Sequence, residues 1–213
     1  MAERPQVFLA SRNAKKLTEM QRILEAYVPG IAVLGLDDVA PYDEPAETEP
    51  TFEGNALIKA RAAVEATGLP SLADDSGLCV DALNGMPGVL SARWSGVVKD
   101  GATDVDLANN ELLLAQLSDV PEARRGARFR CAVAFVRPDG AGGLDEHVEH
   151  GEMPGRIIHE MRGSGGFGYD VLFAADGHEA TSAELPPAEK DAISHRGEAL
   201  RRIAPVVAEA LSG

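Results

Sequence analysis

The chain has 213 residues, 45% hydrophobic and 25% charged, an ordinary balance for a folded domain with one substantial core. Its formal net charge of −14 argues against a general nucleic-acid-binding surface, so an anionic ligand would need a local basic cluster. The two cysteines, Cys79 and Cys131, lie in apolar runs and provide no disulfide framework, which fits a reducing compartment. The apolar run Val7–Ala10 is too short for a signal peptide, and no stretch approaches the ~20 apolar residues of a membrane helix. A cytoplasmic protein with no membrane and no nucleic-acid partner is expected.

Gln6 to Ala10 reads as a short buried strand. The spacing of Leu17, Met20, Leu24 and Tyr27 predicts a helix over 13–28, stopped by Pro29-Gly30. Ile31 to Leu36 follows as a second strand. Residues 37–50 are acidic, contain three prolines and read as a loop. An alanine-rich helix is predicted from Thr51 to Thr67, ending at Gly68. Ser71 to Val80 is a strand, and 84–96 is a long structured loop. Leu107 to Leu117 is helical. Alternation of Phe129, Cys131, Val133 and Phe135 marks a strand over 127–136, and the Pro138-Asp139-Gly140 turn returns it along 144–150. A glycine-rich loop, 163–168, precedes a short strand at 171–173. The last helix starts near Ser194, with Pro205 expected to kink or divide it. The order β-α-β-α-β followed by a hairpin predicts an α/β fold with a mixed sheet, the hairpin half projecting as a second lobe beside a cleft.

Four segments carry chemistry. The most informative is Asp74-Asp75-Ser76-Gly77, two neighbouring acids inside an apolar strand. Unpaired buried carboxylates are costly, so something must compensate them. A hard divalent cation such as Mg²⁺ is the leading candidate, since it takes one or two carboxylates plus water and phosphate oxygens. Strand alternation sends the two side chains to opposite sides. One can then hold the metal or activate water, while the other anchors backbone or a cation. Glu44, Glu47 and Glu49 lie upstream as sources of a further metal ligand. The second segment, Ser11-Arg12-Asn13-Ala14-Lys15-Lys16, opens the first helix, where free N–H groups and the helix dipole favour an anion. It lacks the Walker pattern. The third, Gly163 to Asp170, combines close backbone approach with Phe167 and Tyr169, aromatics suited to stacking on a base. The fourth, 189–196, places Lys190, His195 and Arg196 as donors for a phosphate tail or the oxo groups of a base. Each alone also suits a plain cap, turn, hinge or charged helix start. Together they are the parts of a nucleotide hydrolase.

On these segments, with Thr51-Phe52-Glu53-Gly54-Asn55-Ala56, Pro87-Gly88 through Arg93, and Ala192 through Gly197, the chain resembles the inosine/xanthosine triphosphate pyrophosphatases, which remove deaminated purine nucleotides. The motifs run in family order from about Gln6 to Ile203. Two departures stand out: Arg12 occupies the place of a glycine in the family's Thr-Gly-Asn, and Gly54 precedes Asn55. The resemblance implies one domain over 1–213, with an elongated mixed β-sheet flanked by helices and two lobes around a nucleotide-binding cleft. It also implies a homodimer, Mg²⁺, and hydrolysis of a purine nucleoside triphosphate to monophosphate and pyrophosphate.

Carried over, Ser11, Arg12, Asn13, Ala14, Lys15 and Lys16 would hold phosphates, and Ser76 would touch substrate. Asp75 would be general base or metal ligand, with Glu47 as the further ligand. Phe167, Gly168, Tyr169, Asp170, Lys190, His195 and Arg196 would bind the nucleotide and its base. Two rival readings are a septum-inhibitor-type pyrophosphatase acting on pyrimidine or modified nucleotides, and a non-catalytic nucleotide sensor. The His195-Arg196 pair with the 167–170 loop weighs against the first, and the intact Asp74-Asp75 pair against the second.

Overall fold

The structure, a computed structural model, describes residues 4–12, 14–96 and 104–211. Six strands, β1 (Gln6–Leu9), β2 (Ala32–Leu34), β3 (Ser71–Val80), β4 (Gly126–Pro138), β5 (Leu144–Ile157) and β6 (Phe173–Ala175), form one sheet in the order β2-β1-β3-β4-β5-β6. β1 pairs in parallel with both β2 and β3, while β5 and β6 pair antiparallel, so the sheet is mixed. The helices are α1 (Ala14–Glu25), α2 (Phe52–Thr67), α3 (Val105–Gln116), α4 (Pro187–Ile193) and α5 (His195–Leu211).

Local chemistry explains the ends of α2 and the turn between β4 and β5. Thr51 caps α2 by accepting the Gly54 N–H, and Gly68 closes it at φ 71°, a left-handed position glycine takes without a Cβ penalty. The Asp139 carboxylate accepts the Ala141 and Gly143 N–H groups and so closes the turn between β4 and β5.

Chain contacts divide the molecule into two compact units. The first holds the chain up to Asp75, Cys131–Gly151, and the segment from Arg196 onward. On one face of its strands, Val7, Leu9, Leu72, Cys131, Val133 and Phe135 bury against Met20 and Leu24 of α1 and Leu200, Ile203 and Val207 of α5. On the opposite face, Ala73, Ala132, Ala134 and Val136 meet Ala56, Ala60 and Val64 of α2. The period-two alternation of a strand therefore sorts consecutive residues of β3 between two helical layers. The second unit is Ser76–Arg130 with Glu152–His195. Its core packs Leu78, Val80, Phe129, Met153, Ile157 and Phe173 against Leu113 and Leu117 of α3. Arg125 is buried there, donating from its guanidinium to the carbonyls of Leu117, Ile157 and Ile158.

Four sequence expectations shift. α5 runs through Pro205 without dividing, because buried Ile203, Ala204 and Val207 flank it on both sides and offset the missing hydrogen bond. The strand expected at 171–173 is β6, at Phe173–Ala175, since a 3-10 turn takes Gly168–Val171. β5 continues past His150 to Ile157. α4 is a separate helix, begun by Pro187 at its first position, where the missing proline N–H costs nothing.

Candidate active site

The two acids of β3 part as alternation requires. Asp74, on the α1/α5 face with Leu72, receives Lys16 Nζ on both oxygens at 2.8 Å and Arg196 Nε at 3.2 Å. Burial alone would raise its pKa, but the charges of Lys16 and Arg196 hold it well below the usual carboxylate range. Arg196, itself mostly buried, is kept charged by the same carboxylate. Asp75, on the α2 face with Ala73, accepts Asn55 Nδ2 at 3.2 Å and Lys59 Nζ at 3.3 Å.

Lys59 also donates to Glu47 Oε1 at 2.9 Å. Burial would lower its pKa, but Asp75 and Glu47 more than offset that. Asp75 is pushed above the usual range, first by burial and then by the negative charge of Glu47, against the opposing pull of Lys59. Of the three upstream acids, Glu47 is thus the one drawn to Asp75. Glu44 pairs with exposed Arg12, and Glu49 offers its backbone N–H to Asn55 Oδ1.

The Glu47–Asp75 pair fits a divalent cation. Both carboxylates already converge on one ammonium, and a raised acid beside a second acid is the electrostatic condition that a cation relieves. Among the described residues no three His, Cys, Asp or Glu side chains gather into a metal site. In the metal-free protein the Asp75 carboxyl is expected to titrate above the ordinary ~3.9. Glu47→Gln should move it downward, because that removes a charge that raises it. Carboxyl NMR titration reads both values, and an Asp75 unmoved by Glu47→Gln would contradict this electrostatic account.

The second unit contains the glycine-rich loop. The Asp170 carboxylate accepts the Phe167 N–H at 2.8 Å and pairs with Lys190, whose Nζ stands 5.7 Å from the centroid of the Phe167 ring. Gly166 sits at φ 75°, and a Cβ there would fall 2.1 Å from Asp170 Oδ2, so glycine is required. Phe167 is 56% exposed, a ring open for stacking. The stacking expectation does not extend to Tyr169: its ring is 3% exposed and its hydroxyl donates to the Ser91 carbonyl, which makes it a buried anchor for the loop. His195 stacks on Phe129 at 5.1 Å between centroids.

Lys190, His195 and Arg196, grouped by sequence, thus meet different partners. Arg196 turns to Asp74. Ser11 and Ser76 are half-buried, and Ala14 is the exposed first residue of α1. Asn13 and the side chain of Lys15 lie outside the described residues.

Sequence reading missed Asn55 and Lys59 as site residues. Their signal was present: they are four apart in α2 and so share one helix face, the face that meets Ala73 and Asp75.

The model of the Ham1 family matches residues 7–206. A protein of Nocardia farcinica named a dITP/XTP pyrophosphatase is 61% identical over 203 residues, covering 95% of this chain and 94% of that one. The crystal structure of a nucleoside-triphosphatase / dITP/XTP pyrophosphatase from Mycobacterium abscessus is similar, with TM-score 0.76 and 53% identity, over 94% of this chain and 99% of its own. A HAM1 protein from Coxiella burnetii gives TM-score 0.81 at 41% identity, over 96% of this chain and 98% of its own.

Proposed function

The chain belongs to the Ham1 family, and from that premise we propose that it is a pyrophosphatase of deaminated purine nucleoside triphosphates: dITP, ITP and XTP. The observation that carries this reading is Asp75, a buried acid of raised pKa held by Asn55 and set against Lys59 and Glu47. Water attacks the α-phosphorus in line. An oxygen–phosphorus bond forms there, the bond to the β-phosphate oxygen breaks, and pyrophosphate leaves with the monophosphate as the other product. Asp75 orients the water and takes its proton. Asn55 fixes the direction of the carboxylate. Lys59 and Lys16 provide positive charge for the phosphate oxygens, as do the N–H groups at the start of α1 with Ser11 and Arg12.

Glu47 and Asp75 would hold Mg²⁺, which when bound supplies further neutralisation of the phosphate charge. Base recognition falls to Phe167 as the stacking ring, with Lys190, His195, Ser76 and the backbone of 167–170. Donors there reward the 6-oxo group of hypoxanthine or xanthine. The 6-amino group of adenine would leave a donor unpaired, at about 1–3 kcal/mol. We extend to this chain the cytoplasmic homodimer implied by its resemblance. Among the described residues no helix is long and apolar enough to cross a membrane.

The test is incubation with dITP and Mg²⁺, with dATP and dGTP as controls. Pyrophosphate should appear in equal amount with the monophosphate, and faster from dITP than from either control. Orthophosphate as the sole phosphate product would sink the chemistry, and equal rates on dATP would sink the base preference.

A further inference from the structure

Gly168 is held on both of its peptide groups by side chains of α3. Its N–H donates to Asp106 Oδ2 at 2.7 Å, and its carbonyl accepts from Asn110 Nδ2 at 2.9 Å. Asp106 and Asn110 are four residues apart, so they present one face of the helix to the loop. Asp106 stands in the first turn, just after the Asp104 cap, while Asn110 is buried. The preceding residue, Asn109, adds a second hold nearby. Asn109 Nδ2 donates to the Ser91 carbonyl, which also accepts the Tyr169 hydroxyl.

The consequence falls on Phe167. Its own N–H is fixed by Asp170, and the next N–H, that of Gly168, is fixed by Asp106. Gly168 lies at φ 60°, a conformation the loop must be held in at a cost in glycine backbone entropy. The ring is thereby presented to solvent on a backbone whose flanking peptide groups are already ordered, beneath the ammonium of Lys190. An exposed aromatic that is ordered before its ligand arrives spares the ligand that ordering cost.

We infer that Asp106 and Asn110 are positioning residues of the reaction: by clamping Gly168 they preset the Phe167 platform that reads the base. Neither touches the reacting atoms. Their role rests on the base-reading assignment of Phe167 and concerns affinity for the base alone.

The test compares Asp106→Ala, Asp106→Asn and Asn110→Leu with the parent enzyme. Asp106→Ala should raise KM for dITP about 10-fold with kcat nearly unchanged. The inhibition constant of inorganic tripolyphosphate, a competitor with no base, should stay within about twofold of the parent's. Asp106→Asn keeps an acceptor for the Gly168 N–H and should restore most of the affinity for dITP. Asn110→Leu should follow Asp106→Ala; because that variant removes a buried amide, the decisive comparison is at exposed Asp106. A KM for dITP unchanged in Asp106→Ala, or a parallel loss of tripolyphosphate affinity, overturns the inference. A parent enzyme inactive on dITP would overturn the functional reading itself, which is a different and distinguishable result.

Discussion

Asp75→Asn is expected to lower kcat on dITP by about 10²–10⁴-fold, the usual share of a positioned general base. Asparagine has nearly the same shape but offers one oxygen where Asn55 and Lys59 each hold a separate carboxylate oxygen, so the variant removes the proton acceptor together with the carboxylate offered to Mg²⁺. Stability should move the other way. The folded pKa of Asp75 is raised, chiefly by burial. Its contribution to stability is therefore present below the unfolded pKa and lost as pH rises through the folded value. At pH 7 the ionised carboxylate is a burden on the fold, and the asparagine variant should unfold in urea at the same or a higher midpoint. Retention of parental kcat would remove Asp75 from its role as base. A large fall in the urea midpoint would show instead that its charge is structural.

The neighbouring substitution has the opposite profile. Asp74→Asn should destabilise the protein by about 3–5 kcal/mol at pH 7, because it removes the charge of the carboxylate that two largely buried cations share. The Asp74 pKa is depressed, so its stabilisation is present above the unfolded carboxylate value and fades as pH falls through the folded one. The gap between parent and variant should thus be widest near neutrality and narrow below about pH 4. Urea titrations at both pH values read the difference directly. A variant as stable as the parent at pH 7 would refute the structural role. Activity should also fall, since Lys16 loses the partner that orients it.

The contrast between these adjacent residues shows what was legible in the sequence. The pair itself, the strand that carries it, and the opposite directions of its two side chains all follow from local rules: an acid pair in an apolar run, and a period of two. α2 was equally plain, from Thr51 at its cap to Gly68 at its end. The glycine-rich loop announced unusual backbone angles, and Gly166 has one, at φ 75° beside the Asp170 carboxylate. Pro186-Pro187, by contrast, marks the start of α4, a helix outside the expected last helix from Ser194.

The residue sequence alone determined the kinds of group available, the elements that carry them and the family to which their order belongs. Tertiary structure decided the pairings. Lys16 meets Asp74 across 58 residues and Arg196 meets it across 122, separations at which no periodicity carries information. Arg196 and His195 are neighbours in the chain, yet one completes an ion pair with Asp74 while the other stacks on Phe129. Tyr169, two residues from the exposed Phe167, is buried because its hydroxyl finds the Ser91 carbonyl, 78 residues away in the chain. The physical reason is the same in each case. Local sequence sets backbone conformation and side-chain direction, but the charge, burial and partner that give a side chain its pKa and its task come from elements brought beside it by folding of the core.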